Sequence, residues 1–183
     1  MTTPTSPPTD ASHGATAFIG LGANLGDARA TLRTALAALL PLAMPGSFEA
    51  SPLYASAPVD SSGPDYVNAV ARLRTALAPH ALLDALQAIE QRFGRERPYR
   101  NAPRTLDLDI LLYGVAAGQG GRVLHDDRLT LPHPRAHERG FVLEPLAALW
   151  PDGTIPGAGP VAELLAAVRR DPAQRVHPLD IPR

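Results

Sequence analysis

Between Arg95 and Tyr113 the chain reads R-E-R-P-Y-R-N-A-P-R-T-L-D-L-D-I-L-L-Y, setting Arg95, Arg97, Arg100 and Arg104 just ahead of the paired carboxylates Asp107 and Asp109. Side chains alternate along extended backbone, so a strand here would point both carboxylates to one face and Leu108, Ile110 and Leu112 to the other. Two carboxylates about 7 Å apart on a rigid strand can share hard divalent cations, and guanidinium groups grip phosphate oxygens. These types at this spacing point to chemistry on a magnesium-bound nucleotide.

Composition narrows the options. All 17 basic residues are arginine, which removes a P-loop lysine, a Schiff-base lysine and a lysine general base. There is no cysteine, so disulfides, thiolate catalysis and cysteine-ligated metal centres are excluded, in keeping with a reducing compartment. A formal net charge of −1 exerts no overall pull on nucleic acid or anionic lipid, so phosphate binding must come from local clustering. The N-terminus is rich in Thr, Pro and Ser without a basic n-region, and no apolar run reaches the ~20 residues that cross a bilayer. The expectation is a cytoplasmic protein with no membrane and no nucleic-acid partner.

The elements that must hold the charged stretch can be read from periodicity. A length of 183 residues suits one domain, expected over residues 16–170 between a disordered tail, 1–15, and a loose tail, 171–183. Ala17 to Gly22 predicts a strand running into G-A-N-L-G-D, a strand-to-helix turn that Asn24 or Asp27 can cap. Leu32, Leu36 and Leu39 mark a helix that Pro41 stops. Ser47 to Tyr54 predicts a second strand.

Tyr66 to Arg74 alternates, with Val67, Ala69, Ala71 and Leu73 on one face and Tyr66, Asn68, Val70, Arg72 and Arg74 on the other. Pro79 opens a second helix, its buried stripe Leu82, Leu86, Ile89 and Phe93, closed near Gly94; Glu90 lies near its end. Gly114 to Gly121 reads as a loop, Arg122 to His125 as a brief strand, and Arg135 to Leu149 as a helix interrupted by Pro145. Trp150 to Gly159 reads as a boundary and Val161 to Arg170 as a short helix. With no regular βαβ rhythm, the fold class is α+β with a mainly antiparallel sheet and helices packed on it. His133 and His137 are four apart, but Pro132 and Pro134 oppose the helix that a zinc pair would need.

Three motifs in order carry a resemblance: G-P-D-Y-V-N (Gly63 to Asn68), P-R-T-L-D-L-D-I (Pro103 to Ile110) and P-H-x5-R-G-F (Pro132 to Phe141). With Asn24 ahead of them, the chain resembles the 6-hydroxymethyl-7,8-dihydropterin pyrophosphokinases of folate biosynthesis from about Phe18 to Leu149. The resemblance implies a ferredoxin-like sandwich and transfer of pyrophosphate from ATP to the pterin hydroxymethyl group, releasing AMP. It implies two Mg2+ ions on Asp107 and Asp109, catalytic arginines at Arg95, Arg97 and Arg104, and ATP contacts at Glu90, Ile110, His133 and Arg139 besides those arginines. For the pterin it implies Ser56, Pro58, Val59, Tyr66, Asn68 and Phe141, the two rings facing the flat substrate and the amide reading its edge. For Glu90 a helix-surface role stays open, and for Arg100 a solvated turn.

The sequence departs from the family pattern at Asn101, where a tryptophan is common, and at Pro98, Ala102 and Pro134. These bear on loop closure and lid contacts rather than on the metal strand. The expected partners are the two small substrates, with the chain acting as a monomer.

Overall fold

The computed structural model describes residues 14–58, 63–94, 105–116 and 120–179. Strand β1 (Ala15–Ala23) runs into the Gly-rich turn, where the Asp27 carboxylate accepts the Ala30 N–H at 2.9 Å and starts α1 (Ala28–Leu39). Pro41 lies in a 3-10 turn (Leu40–Leu42) that finishes this helix. Strands β2 (Glu49–Ala50) and β3 (Tyr54–Ser56) follow, then the long β4 (Tyr66–Thr75), α2 (Pro79–Arg92) and β5 (Asp107–Val115). Gly94, at φ +75, turns the chain out of α2, a conformation that glycine adopts without a Cβ penalty.

Beyond β5 come a hairpin of β6 (Leu124–His125) with β7 (Thr130–Leu131), α3 (Gly140–Leu149), a hairpin of β8 (Thr154–Ile155) with β9 (Gly159–Pro160), α4 (Val161–Val168) and β10 (Val176–Pro178).

The main sheet has the order β10-β3-β4-β1-β5, with β2 also against β4, and every pairing is antiparallel. The path β1-α1-β3-β4-α2-β5 interleaves two split β-α-β units, the ferredoxin-like arrangement. One face buries Ile19, Leu21, Ala69, Leu73, Leu108 and Ile110 against Leu32 and Leu39 of α1 and Leu82, Leu86 and Ile89 of α2. The other buries Phe18, Val70, Leu111 and Leu112 under Leu143 and Leu146 of α3 and Val161 and Leu165 of α4. Trp150, just past α3, stacks on Phe18 with ring centroids 5.3 Å apart. Among the described residues no helix is long and apolar enough to cross a membrane.

Several expectations are corrected. The strand predicted over Ser47 to Tyr54 is two short strands, β2 and β3, since Pro52 between them has no N–H for a ladder. Leu112 shares a face with Leu111 rather than with Ile110: Ile19 pairs Ile110 while Phe18 pairs Leu112, so Leu111 is an inserted bulge residue that resets the alternation. The helix expected from Arg135 is a 3-10 turn (Ala136–Glu138) and then α3, separated by Arg139 in extended conformation. Pro145 lies inside α3.

The boundary at Trp150 to Gly159 carries most of the β8–β9 hairpin, which ends at Pro160. The C-terminal stretch read as loose supplies β10, and Leu179 N–H donates to the Leu53 carbonyl at 2.8 Å; β1 likewise starts at Ala15, inside the stretch read as tail.

Candidate active site

The D-x-D strand is the edge of the sheet. Antiparallel pairing places Asp107 opposite Gly22 of β1, and Gly22 opposite Asn68 of β4. Asn68 in turn opposes Tyr54 of β3. One residue row thus crosses four strands as Asp107, Gly22, Asn68 and Tyr54. A second row sets Asp109 beside Gly20 and Gly20 beside Val70.

With strands about 4.8 Å apart, Asp107 and Asn68 stand roughly 10 Å from each other across the sheet. Asp107, Asp109, Gly22 and Asn68 all belong to the α3–α4 face, because their neighbours Leu108, Leu21, Val67 and Ala69 are packed on the opposite one.

The two glycines form the floor between the carboxylates and the amide. A Cβ at Gly22 would lie 3.4 Å from Asn68 Oδ1, and one at Gly20 would lie 3.2 Å from the Leu111 side chain. Both glycines remain half-buried where the flanking strand residues are fully buried. In the sequence Gly20 reads only as part of an apolar strand and Gly22 as a turn glycine, whereas Gly22 lies inside β1 without positive φ; the register of three strands is what gives the glycines their place.

Asn68 is buried at 3% exposure and donates from Nδ2 to Ser56 Oγ at 2.9 Å, which fixes the orientation of its amide. Tyr66 shares its strand face and pairs with Ser56, and Pro58 follows half-buried after β3. Asn24, also buried, reaches from the Gly-rich turn to the Pro64 carbonyl at 3.5 Å, joining the turn to the loop that precedes Tyr66.

At the bulge His133 meets the D-x-D strand. The His133 N–H donates to the Leu111 carbonyl at 2.9 Å, and its Nε2 stands 3.9 Å from Asp109 Oδ2. Nδ1 accepts the backbone N–H of Arg135 at 3.2 Å, so the neutral ring carries its proton on Nε2, toward Asp109. Burial pushes the imidazole pKa below its ordinary value; Asp109 and Asp107 oppose the shift while Arg139 and Arg135 add to it. The shift favours the neutral ring, whose donor is then Nε2–H. The 3-10 turn after it realises no helical pairing with His137, whose Nε2 stands 3.6 Å from Glu138.

Arg139 is extended because it serves as the N-cap of α3: its carbonyl accepts the N–H groups of Val142 and Leu143. Its guanidinium lies over the Phe141 ring, 5.4 Å from the centroid, a cation–π distance. Burial, then the nearby Arg135, lowers the Arg139 pKa, and Asp109 and Asp107 act against that. His133, Arg139 and the two aspartates form one electrostatic cluster.

Glu90 departs from the helix-surface reading. It is 1% exposed, and its Oε1 accepts the backbone N–H of Leu108, the residue between the two aspartates, at 2.9 Å. A helix-surface role is ruled out; the carboxylate ties α2 to the edge strand. Ile110 is buried against the α1–α2 core, which leaves only its backbone to face a ligand. Val59, Arg95, Arg97, Arg100 and Arg104 lie outside the described residues.

Two carboxylates on one strand are too few for an all-protein cage, and among the described residues no group of three or more His, Asp or Glu side chains could hold a metal ion. That donor set fits Mg2+, which is commonly held by one or two carboxylates with substrate phosphates and water completing its shell.

Comparison with known proteins agrees with this geometry. The family model for 7,8-dihydro-6-hydroxymethylpterin-pyrophosphokinase matches residues 18–151. The chain is 46% identical over 151 residues to the 2-amino-4-hydroxy-6-hydroxymethyldihydropteridine pyrophosphokinase of Pseudomonas aeruginosa, covering 82% of this chain and 90% of that one. It is 42% identical over 151 residues to the Haemophilus influenzae enzyme of the same name, covering 82% and 91%.

Among solved structures, an HPPK-DHPS in complex with substrates aligns with a TM-score of 0.66 at 14% identity, over 85% of this chain and 43% of that one. Wild-type Plasmodium falciparum HPPK-DHPS aligns with a TM-score of 0.64 at 14% identity, over 84% and 44%. The chain thus spans less than half of these longer proteins, and the likeness to them concerns the fold. A family match across the sheet, the paired aspartates and the start of α3, with close relatives matched over nearly their whole length, places this chain in the 7,8-dihydro-6-hydroxymethylpterin-pyrophosphokinase family.

Proposed function

We propose that the chain transfers the terminal pyrophosphoryl group of ATP to the hydroxymethyl oxygen of 6-hydroxymethyl-7,8-dihydropterin in folate biosynthesis. A bond forms between that oxygen and the β-phosphorus, the bond from the β-phosphorus to the α,β-bridging oxygen breaks, AMP leaves with the electron pair, and the hydroxyl proton passes to solvent. The observation that carries this reading is the row Asp107, Gly22, Asn68. It sets the paired carboxylates and a buried, oriented amide on one strip of sheet, with nothing but glycine between them.

In this reading Asn68, held by Ser56, reads the pterin edge, which demands both a donor and an acceptor. Tyr66 and Phe141 face the ring, and Ser56, Pro58 and Val59 bound the same side. Asp107 and Asp109 hold the nucleotide end, where bound Mg2+ supplies positive charge to the phosphates and aligns donor with acceptor. His133 donates from Nε2 and Arg139 supplies fixed positive charge to phosphate oxygens. Arg95, Arg97 and Arg104 precede the strand and are assigned to the same phosphates, where charge-assisted bonds form only when the nucleotide is present. Glu90 supports the platform through Leu108.

The catalytic unit in this reading is a monomer, working in the cytoplasm on diffusible substrates. Titration calorimetry tests the assignment: the pterin should bind strongly with a non-hydrolysable Mg-ATP analogue and weakly without it. Binding of the pterin that ignores the nucleotide would contradict a shared site.

A further inference from the structure

The segment Asp171 to Leu179 is tied to both sides of the site. The Asp171 carboxylate accepts the Ala173 N–H at 2.9 Å and starts a 3-10 turn (Pro172–Gln174). From the end of that turn Gln174 Oε1 accepts the N–H of Gly140, the first residue of α3, at 3.0 Å. That N–H is one of the first-turn donors that no carbonyl of the helix itself can satisfy. The chain then enters β10, which pairs with β3 in the register Val176 to Ser56, His177 to Ala55 and Pro178 to Tyr54. Ser56 is the residue that orients Asn68.

The glycine of R-G-F is explained by the same segment. Gly140 is not among the glycines with positive φ, so its backbone does not demand glycine. A Cβ there, however, would lie 2.1 Å from the carbonyl oxygen of Gln174. The C-terminal segment passes too close for any side chain at position 140. These residues lie beyond positions 18–151, where the family model matches.

We infer that Asp171 to Leu179 is a built wall of the acceptor site and that Gln174 is its positioning residue. By holding the Gly140 amide, Gln174 fixes the backbone between Arg139 and Phe141, whose guanidinium and ring are stacked. Through β10 the segment backs Ser56 and, behind it, the Asn68 amide. The inference rests on the reading of Phe141 and Asn68 as pterin contacts.

The test compares Gln174→Leu, which removes the acceptor at similar size, with Gln174→Glu, which keeps an acceptor oxygen where a helix N-terminus favours negative charge. Steady-state rates are measured with each substrate varied, and exchange of the Gly140 amide is followed by NMR in the protein without substrates. Loss of one hydrogen bond should raise the pterin KM of Gln174→Leu about five- to tenfold and the ATP KM, which it reaches through Arg139 alone, by a clearly smaller factor. Gly140 exchange should quicken in the same variant, and Gln174→Glu should restore both values.

Unchanged exchange in Gln174→Leu overturns the positioning role. Faster exchange with an unmoved pterin KM, or with both KM values raised alike, overturns the link to the acceptor site. Should the unaltered enzyme fail to use the pterin at all, the functional reading falls, while the exchange result still decides whether Gln174 holds Gly140.

Discussion

Asp107 and Asn68 occupy one cross-strand row with Gly22 between them. Strand β1 thus separates a carboxylate of the D-x-D pair from a buried, oriented amide by a position without a side chain. The row predicts that Gly22→Val fills the strip without disturbing the strand, since a β-branched residue suits extended backbone. The expected result is a loss of about 10² or more in kcat/KM for the pterin, the scale on which misplacing a reacting group by an ångström is felt. Denaturation midpoints should stay near those of the unaltered protein; near-normal turnover would mean that the strip is not where the acceptor lies.

Glu90 supports the same row from behind. Its carboxylate accepts the N–H of Leu108 in a buried setting, and β5 is an edge strand whose outward N–H groups need partners from elsewhere. Glu90→Ala should cost about 1–3 kcal/mol of stability by leaving that N–H unsatisfied, and should weaken Mg-nucleotide binding because Asp107 and Asp109 flank Leu108. Glu90→Gln, which keeps an acceptor oxygen, should recover most of both losses. Urea denaturation alongside calorimetry checks this, and full nucleotide affinity in a destabilised Glu90→Ala would reduce the residue to a purely structural support.

For the platform itself, Asp107→Ala and Asp109→Ala should each cost several kcal/mol of transition-state stabilisation. Arg95→Ala and Arg97→Ala should slow the chemical step by about 10² or more. Single-turnover measurements distinguish the cases: a change confined to KM in the arginine variants would contradict a role in the chemical step.

Away from the site, Asp126 gives a pH-dependent expectation. The backbone N–H groups of Arg128 and then Leu129 hold its carboxyl pKa below the ordinary 3.8; desolvation opposes them and His80 adds to them. A carboxylate with a depressed folded pKa stabilises above its unfolded pKa and loses that contribution as pH falls through the folded one. The melting-temperature advantage of the unaltered protein over Asp126→Asn should hold at neutral pH and shrink only below about pH 3.8. An advantage that grows on acidification would reverse the sign.

Much of this was readable from local pattern. The alternation of Tyr66 to Arg74 put Asn68 and Val70 on one face and Ala69 and Leu73 on the other, as the two cores bear out, because a strand with both faces packed leaves a strict period of two. The helix capped at Asp27 and the helix opened by Pro79 followed from turn chemistry that acts within a few residues. What escaped depends on contacts distant in sequence. The bulge at Leu111 is a property of the β1–β5 register, and Gly20 and Gly22 gain meaning only between Asp107 and Asn68. A helix-surface place for Glu90 stayed open in the sequence because nothing local shows that β5 covers it, and the sparse apolar content after Asp171 hid a strand whose partner, β3, lies more than a hundred residues earlier.

The most direct test incubates the protein with Mg-ATP and 6-hydroxymethyl-7,8-dihydropterin and follows the nucleotide products. The account predicts AMP, formed one for one with the pterin pyrophosphate and dependent on the pterin. ADP as the product, or no pterin-dependent consumption of ATP, would contradict it.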